Sequence, residues 1–142
     1  MSSNSKEFAI PVLLTIGSGI SSVIFGYLAV DSFYSADAYT NQISVLEANT
    51  PEENVIAETE RLNRIGLAQL KADDFEGWHE TGERLTTLHS MTDAQKAAYV
   101  NEQIAHLQTQ VDLEKTHTKQ YGAGFVTSLV AAIVWRRLMN RA

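Results

Sequence analysis

The sequence contains no cysteine, which excludes a disulfide framework, a thiolate metal site and a cysteine nucleophile. Proline occurs only at positions 11 and 51, so long stretches lack the residue that most strongly interrupts helices. No segment alternates polar and apolar residues as a half-buried strand does. There is no glycine-rich phosphate loop following a strand, and no Ser-His-Asp grouping with a recognisable local motif. Basic residues are scarce as well: 11 Lys and Arg stand against 17 Asp and Glu. Between residues 31 and 120 sixteen acids face seven bases, a formal charge of −9. Phosphate backbones require a basic face, so this balance argues against nucleic acid as a partner.

Charge of either sign is missing from Phe8 to Val30, 23 residues. At 1.5 Å per residue such a helix crosses a hydrocarbon core of about 30 Å. A cleaved signal peptide would have a shorter apolar region, of roughly 7 to 15 residues, and a small-residue cleavage site that is not evident here. The segment 8–30 is therefore expected to be a transmembrane helix, after an N-terminal tail of 1–7. A second span is expected at 121–139: the apolar run from Tyr121 to Trp135 is followed by Arg136 and Arg137, which would snorkel. A buried helix of a soluble protein is the competing reading of this shorter run. Arg136, Arg137 and Arg141 near the second span place both termini on the cytoplasmic or matrix side, with the acidic middle opposite. The absence of an Arg-rich presequence favours a bacterial cytoplasmic membrane over a mitochondrial inner membrane.

The middle, 31–120, reads as four helical segments. The first span continues outward to about residue 48 on a stripe of Ala36, Tyr39, Ile43 and Leu46. Thr50, Pro51 and Glu53 form a capping box that opens a helix at 51–72, with Val55, Leu62 and Ile65 inward. Asp73 or Asp74 caps a helix at 75–89, whose expected inward stripe is Phe75, Trp78, Leu85 and Leu88; Gly77 and Gly82 weaken it. Thr92 and Gln95 form a second capping box. From there a heptad-like seam through Val100, Ile104, Leu107, Val111, Glu114, Thr118 and Tyr121 continues to Trp135 and Met139, which predicts one helix through 92–120 into the second span. A kink at Gly122 is the alternative. The expected fold is all-α: two long helices that span the bilayer and extend from it as a helical hairpin or bundle, with residues 140–142 as a tail.

The first span carries small residues at every fourth place, Ser18, Ser22 and Gly26, and the second does the same with Gly124, Ser128 and Ala132. Lipid is as apolar as leucine, so membrane helices associate through close packing of small residues and polar contacts. An antiparallel hairpin puts residues of constant index sum at one level, and the three small pairs share the sum 150. The same sum pairs Asp31 with Lys119, Tyr39 with Val111 and Ile43 with Leu107. Use of either stripe between chains is the rival.

One pattern invites a metal reading. Glu76 with His79, and Glu114 with His117, repeat a Glu-x-x-His spacing that sets carboxylate and imidazole on one helical face, as in di-iron carboxylate bundles. The further carboxylates such a site requires are doubtful, and a Glu-rich segment produces such tetrads by chance, so neither metal nor cofactor nor catalysis is assigned. His89 and His106 have no partner pattern. The expected role is a non-catalytic structural or assembly subunit of a larger inner-membrane complex, with other membrane proteins and lipid as partners and homo-oligomerisation open. A small membrane sensor or regulator is the alternative. A small oligomeric channel is another, lined by Thr15, Ser18, Ser21, Ser22, Thr127 and Ser128.

Overall fold

The computed structural model describes residues 4–140, with side chains at 16–138 and 140. The described residues form four α-helices and no strand: α1 Asn4–Ala48, α2 Pro51–Lys71, α3 Phe75–His89 and α4 Asp93–Met139. Neither α1 nor α4 is interrupted, and α4 continues through Gly122 without a break. Side-chain positions of the first span before Ile16 lie outside the described set, Thr15 among them, as does that of Met139.

Local chemistry fixes the helix starts. The Thr50 hydroxyl accepts from the Glu53 amide at 3.3 Å while the Glu53 carboxylate accepts from the Thr50 amide at 2.8 Å. Two N–H groups that the helix cannot satisfy are thereby bonded reciprocally. These hydrogen bonds from the Thr50 backbone and hydroxyl hold the Glu53 carboxyl below its ordinary value. Thr92 and Gln95 repeat the arrangement ahead of α4. At α3 the cap is Asp74, whose Oδ1 accepts from the Gly77 amide at 3.0 Å. Asp73 takes a left-handed φ of 56° to make the turn, a conformation that Asp tolerates better than most residues. A Cβ at Gly77 would meet the Asp74 carboxylate and lie 2.6 Å from Gln69 Nε2, so a larger residue there would have to displace those side-chain ends.

The chain divides into two units, residues up to 38 together with those from 110 on, and residues 39–109. The division lies outside the expected span edges of 30/31 and 120/121 and runs through α1 and α4. In the first unit, Phe25 and Gly26 of α1 face Gly124 and Phe125 of α4. The buried side chains include Ser22, Ser32, Ala36 and Val111. Large apolar residues point outward instead, among them Ile20, Val23 and Ile24 on α1 and Val130, Ile133 and Val134 on α4. One stretch, Ile16–Ala48, is long and apolar enough to cross a membrane, and only 11% of its most apolar window is buried inside the protein. Among the described residues no other helix meets that measure; the uncharged run of the expected second span ends at Trp135, before Arg136 and Arg137.

The second unit is a helical cluster around Val55, Leu62 and Leu88, with Leu85, Met91 and Tyr99 packed against them. Leu62 is the most completely buried large side chain, at 2% exposure. α2 and α3 pack along a face that includes Gly66, where an added Cβ would meet Thr81 and Trp78 at ordinary van der Waals distances of 3.5 and 3.7 Å, so the packing does not require glycine there. Thr81 donates to Gln69 Oε1 at 2.8 Å across that contact. The expected α3 stripe needs correction: Phe75 and Trp78 are exposed, and the buried positions are Thr81 and Leu88. A threonine can occupy an interior site when its hydroxyl has a partner, and Gln69 supplies one. Ile65 is half-buried beside the fully buried Leu62 and Gly66.

Candidate functional site

Two arrangements stand out, one in each unit. In the first unit, the small residues of α1 and α4 form an inner face. Ser22 is buried, and Ser18, Gly26, Gly124, Ser128 and Ala132 are half-buried. The two glycines do not meet each other. A Cβ on Gly26 would lie 3.3 Å from the Phe125 ring, and one on Gly124 would lie 3.1 Å from the Phe25 ring. Each helix therefore inserts a phenylalanine into the notch left by the other's glycine, one residue to either side of the expected level. Phe25 was invisible to a search for small residues alone. Ser32 was missed as well, although it lies seven residues after Phe25 and four before Ala36 on the same face.

The hydroxyls in this apolar stretch are bonded within their own helix: Ser22 donates to the Ser18 carbonyl at 2.8 Å and Ser21 to the Gly17 carbonyl at 2.9 Å. Such back-bonding satisfies a hydroxyl without water. Among the residues weighed as a pore lining, Thr127 is exposed and Ser128 half-buried.

The second arrangement is an open groove of about 670 Å³ contained in residues 41–107. Its apolar wall comes from Val45 and Leu46 of α1 and from Val100 and Leu107 of α4. Four amide side chains border it: Asn41, Gln42, Asn54 and Gln103. Asn54 is held in place, since its Nδ2 donates to the Leu46 carbonyl at 2.8 Å and its Oδ1 accepts from Asn49 at 3.4 Å. At the polar end Glu58 binds Arg61 in a two-pronged pair, with Nε to Oε2 at 2.6 Å and Nη2 to Oε1 at 2.7 Å. These bonds from Glu58 raise the Arg61 guanidinium further above its already high value. Arg84, from α3, lies 3.7 Å from Glu58 Oε1. That separation exceeds a hydrogen bond, and among the described residues Arg84 forms none. Tyr99 borders the same end, and its phenol is pushed up chiefly by burial and then by the Glu58 charge, with Arg84 and Arg61 opposing and Glu102 adding to the rise. At neutral pH it is a hydrogen-bond donor. Sequence patterning missed this groove because its polar residues come from α1, α2, α3 and α4 with no local motif.

The two Glu-x-x-His tetrads part company. His79 lies against Glu83 at 3.5 Å rather than against Glu76, and both His79 and Glu83 are exposed. His117 sits 3.6 Å from Glu114, and its ring lies tilted by 38° against that of Tyr121 with centroids 5.6 Å apart. Among the described residues no group of three His, Asp or Glu is placed to hold a metal ion. No family model, curated protein or solved structure matches this chain.

Proposed function

We propose that this chain is a two-pass membrane protein that works without catalysis, as a structural or assembly subunit of a larger inner-membrane complex. The observation that carries this reading is the outward display of large apolar side chains by the first unit, on α1 from Ile16 to Tyr34 and on α4 from Phe125 to Leu138. Water-exposed proteins rarely present contiguous apolar surface beyond a few hundred Å², and a helix pair with small residues inside and large ones outside suits lipid or neighbouring membrane helices. Arg136 and Arg137 at the end of α4 and the acidic middle orient both termini to the cytoplasmic or matrix side.

The test has two arms. Membranes washed with alkaline carbonate should retain the full chain, and a mild-detergent extract should yield it in fixed stoichiometry with other membrane proteins. Release into the carbonate wash sinks the membrane reading, and a lone homo-oligomer in detergent sinks the subunit reading. Because the native chain has no cysteine, single substitutions report topology: Ser2→Cys and Thr59→Cys should be labelled from opposite sides of sealed vesicles. Labelling of both from one side overturns the two-pass arrangement. A sensor or regulator is the second reading, favoured by the groove of the second unit.

A further inference from the structure

We infer that the groove of residues 41–107 is a binding site for a small organic monocarboxylate with an apolar body. This goes beyond the membrane-subunit reading and does not depend on it, since every groove residue lies in the second unit.

Residues 39–109 carry five Lys and Arg among twelve Asp and Glu, yet the groove gathers two arginines around one carboxylate. Arg61 occupies both oxygens of Glu58 through its two-pronged pair, which neutralises that carboxylate and uses the Arg61 fork. Arg84 adds a longer ion pair to the same carboxylate at 3.7 Å, is 56% exposed and makes no hydrogen bond among the described residues. A guanidinium presents parallel N–H donors whose spacing fits the two oxygens of a carboxylate. Two guanidinium groups stand at this end with the Glu58 and Glu102 carboxylates, a balance that tolerates a monoanion on Arg84 far better than a phosphate dianion, which both carboxylates would repel. Tyr99 and Gln103 supply further donors at the same groove, and Val45, Leu46, Val100 and Leu107 offer apolar surface to the rest of the ligand. The volume of about 670 Å³ lies within the ordinary range of small-molecule sites, roughly 300 to 1,000 Å³.

The purified full chain in nonionic detergent, followed by NMR through its arginine side-chain N–H resonances, gives the test. The probes are 3-phenylpropionate, its neutral amide 3-phenylpropionamide, and inorganic phosphate. The acid should produce saturable shifts at Arg84. The amide shares the apolar body and partitions into micelles, so its expected weakening of about tenfold or more isolates the carboxylate. Arg84→Gln should weaken the acid by a similar factor, whereas Arg64→Gln, the same charge change outside the groove, should leave binding within about twofold. Three results overturn the assignment: acid and amide binding alike, the two arginine variants having equal effect, or phosphate binding as tightly as the acid. Absence of any saturable shift up to about 20 mM acid overturns it too. These outcomes are independent of carbonate extraction, so the groove and the membrane reading stand or fall separately.

Discussion

The two units of this chain are built from the same kind of helix but fill their interiors differently, although both also expose large apolar side chains, Ile56, Leu67, Phe75 and Trp78 among those of the second. In residues 39–109 the large apolar residues Val55, Leu62 and Leu88 are interior, with charged residues such as Glu60, Arg64 and Glu80 outside. In the first unit the interior holds Ser22, Ser32, Ala36 and the glycine notches, while Val23, Ile24, Val130 and Ile133 are displayed. Burial of large apolar groups stabilises a fold only when the surrounding medium is water. Where the medium is as apolar as the side chains, close approach and satisfied hydroxyls are what remain to hold helices together. The one stretch long and apolar enough to cross a membrane, Ile16–Ala48, lies mostly in the first unit.

The comparison is broken most forcefully at the core of the second unit. Leu62→Ala, at the most buried large side chain, should destabilise that unit by about 2 to 5 kcal/mol. Hydrogen exchange should then lose protection across 51–89 while the pairing at Phe25 and Gly124 persists. Equal loss in both units would mean that they unfold together and are not governed separately. A smaller effect, about 1 to 3 kcal/mol, is expected from Gly124→Leu, because added atoms must displace the Phe25 ring. Cross-linking between cysteines introduced on the facing surfaces of α1 and α4 reads it directly, and unchanged cross-linking would show that the notch is not a packing constraint.

The smallest effect concerns the capping box. Thr50→Ala should cost about 1 kcal/mol at neutral pH, measured by chemical denaturation. The Glu53 carboxyl is held below its ordinary value by its hydrogen bonds with the Thr50 backbone and hydroxyl. A depressed carboxylate contributes stability that is fully present above its unfolded value and is lost as pH falls through its folded value. The difference between native chain and variant should therefore shrink below about pH 4.5. A gap that stays constant to acid pH would assign the cap to the threonine hydroxyl alone.

Much of the fold was legible. Capping signals at Thr50 and Thr92 located the starts of α2 and α4, because cap hydrogen bonds involve residues only three apart. The absence of proline and the seam from Val100 to Trp135 anticipated an unbroken α4. The inward face of α3 was misjudged because hydrophobicity favours Phe75 and Trp78, whereas Thr81 is interior through its hydrogen bond to Gln69 of α2. A partner twelve residues away leaves no local trace. The expected meeting of small residues omitted Phe25 and Phe125 for a related reason: what fills a glycine notch is chosen by the opposing helix.

The sequence by itself determined the helical class, the helix starts, the acidic middle and the uncharged stretch that a membrane would accept. These follow from periodicity, caps and composition, which act over a few residues. Only tertiary structure decided that Glu58, Arg61, Arg84 and Tyr99 share one groove and that each glycine receives a phenylalanine ring. Such neighbours are set by how helices rotate and approach one another, a property of packed faces rather than of any one segment.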